Sequence, residues 1–181
     1  PKVSVTGLES VRSSTPEVCR EKMKEAFKVI MNGDETDTQQ FIQSFKEEFY
    51  NLPVEEIAKI SGTDDIEKYI DRATGNYKKG CPIHVRGCIL YNNFLRDKGL
   101  DKKYESIKSG DKIKFVYLKF PNPIRENIIS FPNVLPKEFG LEKYIDYETQ
   151  FEKVFLSPID NILQAIGWSA KKVDDISSFF E

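Results

Sequence analysis

Three side chains that can ligate a metal or act as a nucleophile and its base lie close together: Cys81, His84 and Cys88. At spacings of three and four they share one face of a helix, and thiolate and imidazole are both good zinc ligands. A structural zinc site closes with four ligands, but the chain holds no second histidine and Cys19 is remote in sequence. The same residues admit a thiol nucleophile, Cys81 or Cys88 activated by His84, with a helix N-terminus lowering the pKa of Cys81. No neighbouring residue supplies the orienting third group that such a pair needs. Buried thiols beside a histidine with another role account for the same pattern. The adjacent carboxylates Glu47-Glu48, Asp64-Asp65 and Asp174-Asp175 point apart on a helix, which suits caps or solvated faces better than a two-metal site. The chain contains no Gly-rich phosphate loop of either common kind.

Positive charge carries more information. Residues 76–125 hold twelve Lys or Arg against four acids, a balance of +8, within a chain whose net charge is −2. Polyanions respond to local fields, so this basic middle between acidic flanks is a candidate nucleic-acid surface, set against a lysine-rich face that merely keeps the protein soluble. Lys78-Lys79-Gly80 precedes a helix start, where free N–H groups and the helix dipole favour phosphate, and His84 and Arg86 fall in the first turn. Lys112 and Lys114 alternate on one strand face with Val116 and Leu118, while Ile113, Phe115 and Tyr117 face the other side. Phosphate contacts from such groups position a duplex without reading its sequence.

The elements that must hold these residues follow from periodicity. Val3, Val5, Leu8 and Val11 predict a short strand within residues 1–12. Ser14 or Thr15 caps a helix with Pro16 in its first turn, and Cys19, Met23, Ala26, Phe27 and Ile30 form its stripe. A second helix runs from about Thr38 with Phe41, Ile42, Phe45, Phe49 and Leu52 on one face, so the two read as an antiparallel pair. Short helical pieces follow around Glu55–Lys59 and Asp65–Ile70, and a longer helix restarts at Gly80-Cys81-Pro82. The strand Lys112–Lys119 takes Asn127–Phe131 as antiparallel partner across the proline-stiffened loop Phe120–Glu126. Helix returns over 146–167, broken or kinked at Pro158. The expected class is α+β, mostly helical, with a small antiparallel sheet, as one domain or one domain with a small subdomain. No apolar run approaches the ~18 residues of a membrane span, and three cysteines, an odd number, favour free thiols in a reducing cytoplasm.

Three blocks, TGLESVRSSTP (Thr6–Pro16), YKKGCPIHVRG (Tyr77–Gly87) and LPKEFGLEKYID (Leu135–Asp146), stand in order with the basic strand, its Asn122-Pro123 loop and Leu163–Trp168. Together they resemble the C-terminal part of family B DNA polymerases of the T-even bacteriophage type, over essentially the whole chain. The resemblance implies that residues 1–12 finish the palm, 13–171 form the thumb that wraps primer–template duplex, and 172–181 form a clamp-binding tail. It makes Lys78, Lys79, His84 and Arg86 the leading duplex contacts. Lys112, Lys114, Lys119 and Arg125 come next, and Ser13 and Ser14 lie at the palm–thumb junction against primer backbone. Ile176, Phe179 and Phe180 would enter an apolar pocket on the sliding clamp, unless the tail packs on the body.

The resemblance also implies what is missing. The family's metal-binding palm aspartates, basic nucleotide-binding helix and exonuclease carboxylates are absent from this sequence. The chain alone is therefore expected to be inactive, either an excised domain or one subunit of a polymerase encoded in two pieces. Its partners would be the N-terminal remainder of the polymerase, duplex DNA and the clamp, in the cytoplasm of an infected bacterial host. It would carry no cofactor, the magnesium of the complete enzyme belonging to the absent palm. A non-enzymatic clamp-binding or scaffolding protein with an incidental basic strip is the alternative.

Overall fold

A capping box sets where one of the helices begins, and prolines stand at the starts of three others. The structure is a computed structural model that describes residues 13–172. The strand expected within 1–12 and the tail residues Ile176, Phe179 and Phe180 lie outside the described residues. In chain order it contains helices α1 (Glu17–Asn32), α2 (Glu35–Phe49) and α3 (Val54–Ile57), strand β1 (Lys59–Gly62), and helix α4 (Ile83–Asp97). Strands β2 (Lys112–Tyr117) and β3 (Ile128–Phe131) follow, then helices α5 (Tyr147–Phe151) and α6 (Ser157–Ala165). Helix α2 starts three residues before the expected Thr38, because the Asp34 side chain accepts from the Asp37 amide while Asp37 accepts from that of Asp34. Helix α1 has Pro16 at its N-cap with no side-chain cap bond, so neither Ser14 nor Thr15 fills the expected role. The described residues fall into two units, one made of 13–52 with 148–172 and the other of Pro53–Tyr147.

In the first unit α1 packs on α2, and Lys22 near the start of α1 pairs with Glu48 at the end of α2 at 3.3 Å, so the two run antiparallel as expected. Phe45, Phe49, Phe151 and Phe155 are buried together, with ring centroids 4.7 Å apart for Phe45–Phe155 and 5.1 Å for Phe49–Phe151, both edge-on. Such pairs are worth about 0.5–1.5 kcal/mol beyond the area they bury. Between α5 and α6 the backbone widens into a π-helical stretch, Glu152–Leu156, just ahead of Pro158. Proline has no N–H for the carbonyl one turn back and its ring crowds that position; widening the preceding turn lets the helix continue where the sequence suggested a break.

The second unit is a three-stranded antiparallel sheet of order β1-β2-β3, and the α+β class read from the sequence holds. Phe115 pairs with Lys59 on one side and Ser130 on the other, and Lys114 pairs with Ile60 and Phe131. Directly opposed residues share a face. Phe115 and Ser130 therefore lie on the face covered by α4, while Val116, Ile129 and Phe131 are buried on the reverse. Lys59–Gly62 was expected as helix or loop, and its single large apolar residue, Ile60, gave no alternation to read. Gly87 lets α4 approach β3: a Cβ there would meet the Ser130 amide at 2.8 Å. The Ser130 hydroxyl donates to the His84 carbonyl at 2.8 Å. Asn92 fixes the segment between α4 and β2, donating to the Ile107 carbonyl at 2.9 Å and accepting from its amide at 2.8 Å.

Candidate nucleic-acid interface

The two leading lysines sit on a tight turn built by backbone bonds. Tyr77 bridges to Ile70, the Lys78 amide donates to the Tyr69 carbonyl at 2.8 Å, and the Cys81 amide donates to the Lys78 carbonyl at 3.2 Å. Gly80 takes φ +86° there, a conformation glycine adopts without cost. Lys78 and Lys79 are both exposed. Pro82 then occupies the N-cap of α4, and the Arg86 amide donates to the Pro82 carbonyl at 2.9 Å, opening the helical ladder. The amides ahead of Arg86 have no place in that ladder.

Arg86 is not a free cation. Its guanidinium pairs with Glu126 at 3.4 Å, donates to Asn127 Oδ1 at 2.9 Å and lies 5.6 Å over the Tyr77 ring, with the side chain only 23% exposed. The Tyr77 hydroxyl donates to the other Glu126 oxygen at 2.8 Å, and this bond holds the phenol's pKa above its ordinary value. One carboxylate thus ties the Lys78–Lys79 turn and the first turn of α4 to the loop before β3. That loop is fixed by Asn122, whose Nδ2 donates to the carbonyls of Lys119 and Glu126 at 2.7 Å each, and whose Oδ1 accepts from the Ile124 amide at 3.1 Å. Lys119 and Arg125 are exposed on it, Arg125 at φ +54°.

The remaining expected contacts are placed differently. Lys112 is exposed at the far end of β2 from Lys119, roughly 20 Å away at the rise of an extended chain. Lys114 is half-buried and donates to the Glu55 carbonyl at 3.1 Å. His84 is half-buried with its ring centroid 6.1 Å from that of Phe115, and burial lowers its pKa. Ser13 and Ser14 belong to the other unit, in the turn before α1.

Cys19 and Cys88 are fully buried, and burial pushes both thiols up to about 12. Cys81 is half-buried and burial raises it too, against the pull of Arg86. A raised pKa is the reverse of what a thiolate nucleophile needs. Among the described residues no group of three or more His, Cys, Asp or Glu side chains is placed to hold a metal ion. No described helix is long and apolar enough to cross a membrane.

Tyr77, Asn122, Glu126 and Asn127 organise the basic surface, yet sequence reasoning assigned none of them a role at it. Asn122 precedes a proline in a two-proline loop, a turn signal that its side-chain bonds explain. Glu126 carried no signal beyond its charge.

The chain is 28% identical to the DNA-directed DNA polymerase of Enterobacteria phage T4 over 184 residues, an alignment covering 99% of this chain and 20% of that protein. It is 27% identical to the DNA-directed DNA polymerase of Escherichia phage RB69 over 186 residues, covering 100% of this chain and 20% of the relative. The chain thus spans 20% of the length of these curated relatives. No family model matches it. The resemblance to T-even phage polymerases holds along the whole chain.

Proposed function

We propose that this chain, a relative of the DNA-directed DNA polymerases of phages T4 and RB69, is a thumb that grips primer–template duplex through its backbone phosphates. The observation that carries this reading is the shared carboxylate. Glu126 bonds to Tyr77 and Arg86 together, so the exposed Lys78 and Lys79 on one segment and Lys119 and Arg125 on another are held on one framework. Arg86 acts here as a positioning residue, and the four exposed cations make the contacts. Phosphate contacts without base readout are what a polymerase needs from a surface that slides along any sequence.

On this reading residues 13–171 are the thumb, 1–12 complete the palm, and 172–181 reach the sliding clamp through Ile176, Phe179 and Phe180. Chemistry belongs to the remainder of the polymerase, where magnesium would bind, in the cytoplasm of an infected bacterium. Ser13 and Ser14 would meet primer backbone at the palm–thumb junction.

Fluorescence anisotropy of a labelled primer–template duplex, titrated with the chain at several salt concentrations, tests the proposal. Four phosphate contacts give a slope of roughly −3 to −4 in log K against log salt. Absence of binding at low salt would overturn it and leave the clamp-binding or scaffolding reading.

A further inference from the structure

Phe120 is the most exposed large apolar side chain among the described residues. At 65% exposed it exceeds Met31, Ile166, Val134 and Tyr50. It follows Lys119 directly, and the loop it opens closes on Arg125, so its ring lies in a segment bounded by two exposed cations. The loop is also rigid: Asn122 spans it with bonds to Lys119, Ile124 and Glu126, the Arg125 amide donates to the Asn122 carbonyl at 3.2 Å, and Pro121 and Pro123 restrict the backbone. Arg125 is one of only two non-glycine residues with positive φ among those described, a conformation disfavoured for such a side chain. A loop flanked by Lys119 and Arg125 needs none of this to stay soluble. An exposed aromatic ring on a rigid loop whose two ends carry exposed cations makes sense where the partner offers anions beside an apolar wall.

A nucleic-acid strand has that pattern, with phosphates flanking sugar and base surface. We infer that Phe120 is a second kind of duplex contact, an apolar one, which packs on the sugar–base surface between phosphates held by Lys119 and Arg125. This inference rests on the duplex-binding reading above and adds to it a component of affinity that salt does not screen. The preorganised loop backbone limits the entropy lost when the ring becomes fixed on DNA, and packing on sugar surface, which all nucleotides share, demands no particular base.

The test compares the full chain with its Phe120→Ala and Phe120→Leu variants. Each is titrated against a fluorescein-labelled DNA duplex across a salt series and against labelled inorganic polyphosphate, a polyanion with neither sugars nor bases. Phe120→Ala is expected to bind DNA roughly tenfold more weakly, as partial burial of a phenyl ring implies, with an unchanged salt slope and unchanged polyphosphate affinity, and Phe120→Leu recovers part of the loss. Salt-dependent wild-type binding with Phe120→Ala affinity unaltered overturns this inference alone and leaves the ring to a protein partner. An equal loss on polyphosphate, or a shallower slope, also overturns it, because the ring would then only prop the cations. A wild-type chain that binds no duplex overturns both this inference and the reading beneath it.

Discussion

Glu126 accepts the Tyr77 hydroxyl at 2.8 Å across 49 residues of sequence, and the same carboxylate pairs with Arg86. Its place inside a basic surface sets two effects in opposition. By charge alone, Glu126→Ala raises the local positive field and should tighten DNA binding. By position, the change frees the Lys78–Lys79 turn from the Lys119–Arg125 loop and leaves the part-buried Arg86 with one fewer partner. Losing a partner to a charged group costs about 1–3 kcal/mol of stability. The expected outcome is a lower melting temperature and weaker duplex binding, read by calorimetry and by anisotropy. Tighter binding would show that Glu126 only dampens the field.

Lys78 and Lys114 separate exposure from mere charge. Lys78 is exposed on its turn, whereas Lys114 is half-buried and spends its ammonium on the Glu55 carbonyl. Lys78→Ala should lower the salt slope by about one unit and weaken binding alike on unrelated sequences. Lys114→Ala should leave the slope unchanged and lower stability, because the Glu55 carbonyl loses its donor. Equal slopes for the two variants would return the whole basic strip to one undifferentiated surface.

How much of this was legible follows from how local each signal is. The stripes through Met23 and Ala26, and through Ile42, Phe45 and Phe49, repeat at helical spacing and were read correctly, as was the pairing of β2 with β3. Strand β1 was not, because four residues with one large apolar side chain show no period. The π-helical stretch before Pro158 is a local answer to a missing donor, and its sequence differs little from a kink. The basic residues were visible by type, but their grouping depends on Tyr77–Glu126 and Arg86–Asn127 contacts that no spacing rule encodes. Lys114 illustrates the converse: alternation placed it on a strand face, and only the fold shows that the face is occupied.

Gly87 on α4 is the point of close approach to β3, and substitution there weighs propensity against packing. Alanine gains up to about 1 kcal/mol in a helix interior, but its Cβ would lie 2.8 Å from the Ser130 amide and 3.1 Å from the Ser130 Cβ. Overpacking of this kind costs about 1–3 kcal/mol, and the backbone of β3 is the element that must yield. Gly87→Ala is therefore expected to be destabilising in chemical denaturation, with loss of the bond from Ser130 to the His84 carbonyl. A neutral or stabilised variant would mean that α4 slides on the sheet without penalty.

His84 is the chain's single histidine, so its titration can be assigned without ambiguity. Burial lowers its pKa, its ring lies near that of Phe115, and the Lys59 ammonium stands 6.0 Å over the same phenyl ring. Because the folded value lies below the unfolded one, the stability linked to His84 is complete above about pH 6.5. It is lost as pH falls through the depressed folded value, since the unfolded chain then binds the proton more readily. Binding has the opposite sign if the imidazole meets a phosphate, which favours the charged ring. Complex formation would then take up a proton, and duplex affinity should rise as pH falls from 7.5 toward 6 even as the free chain loses stability. His84→Gln should remove both trends. Affinity that stays flat over this range in the wild type, while the melting temperature still falls, would make His84 a packing residue and leave the phosphates to Lys78, Lys79, Lys119 and Arg125.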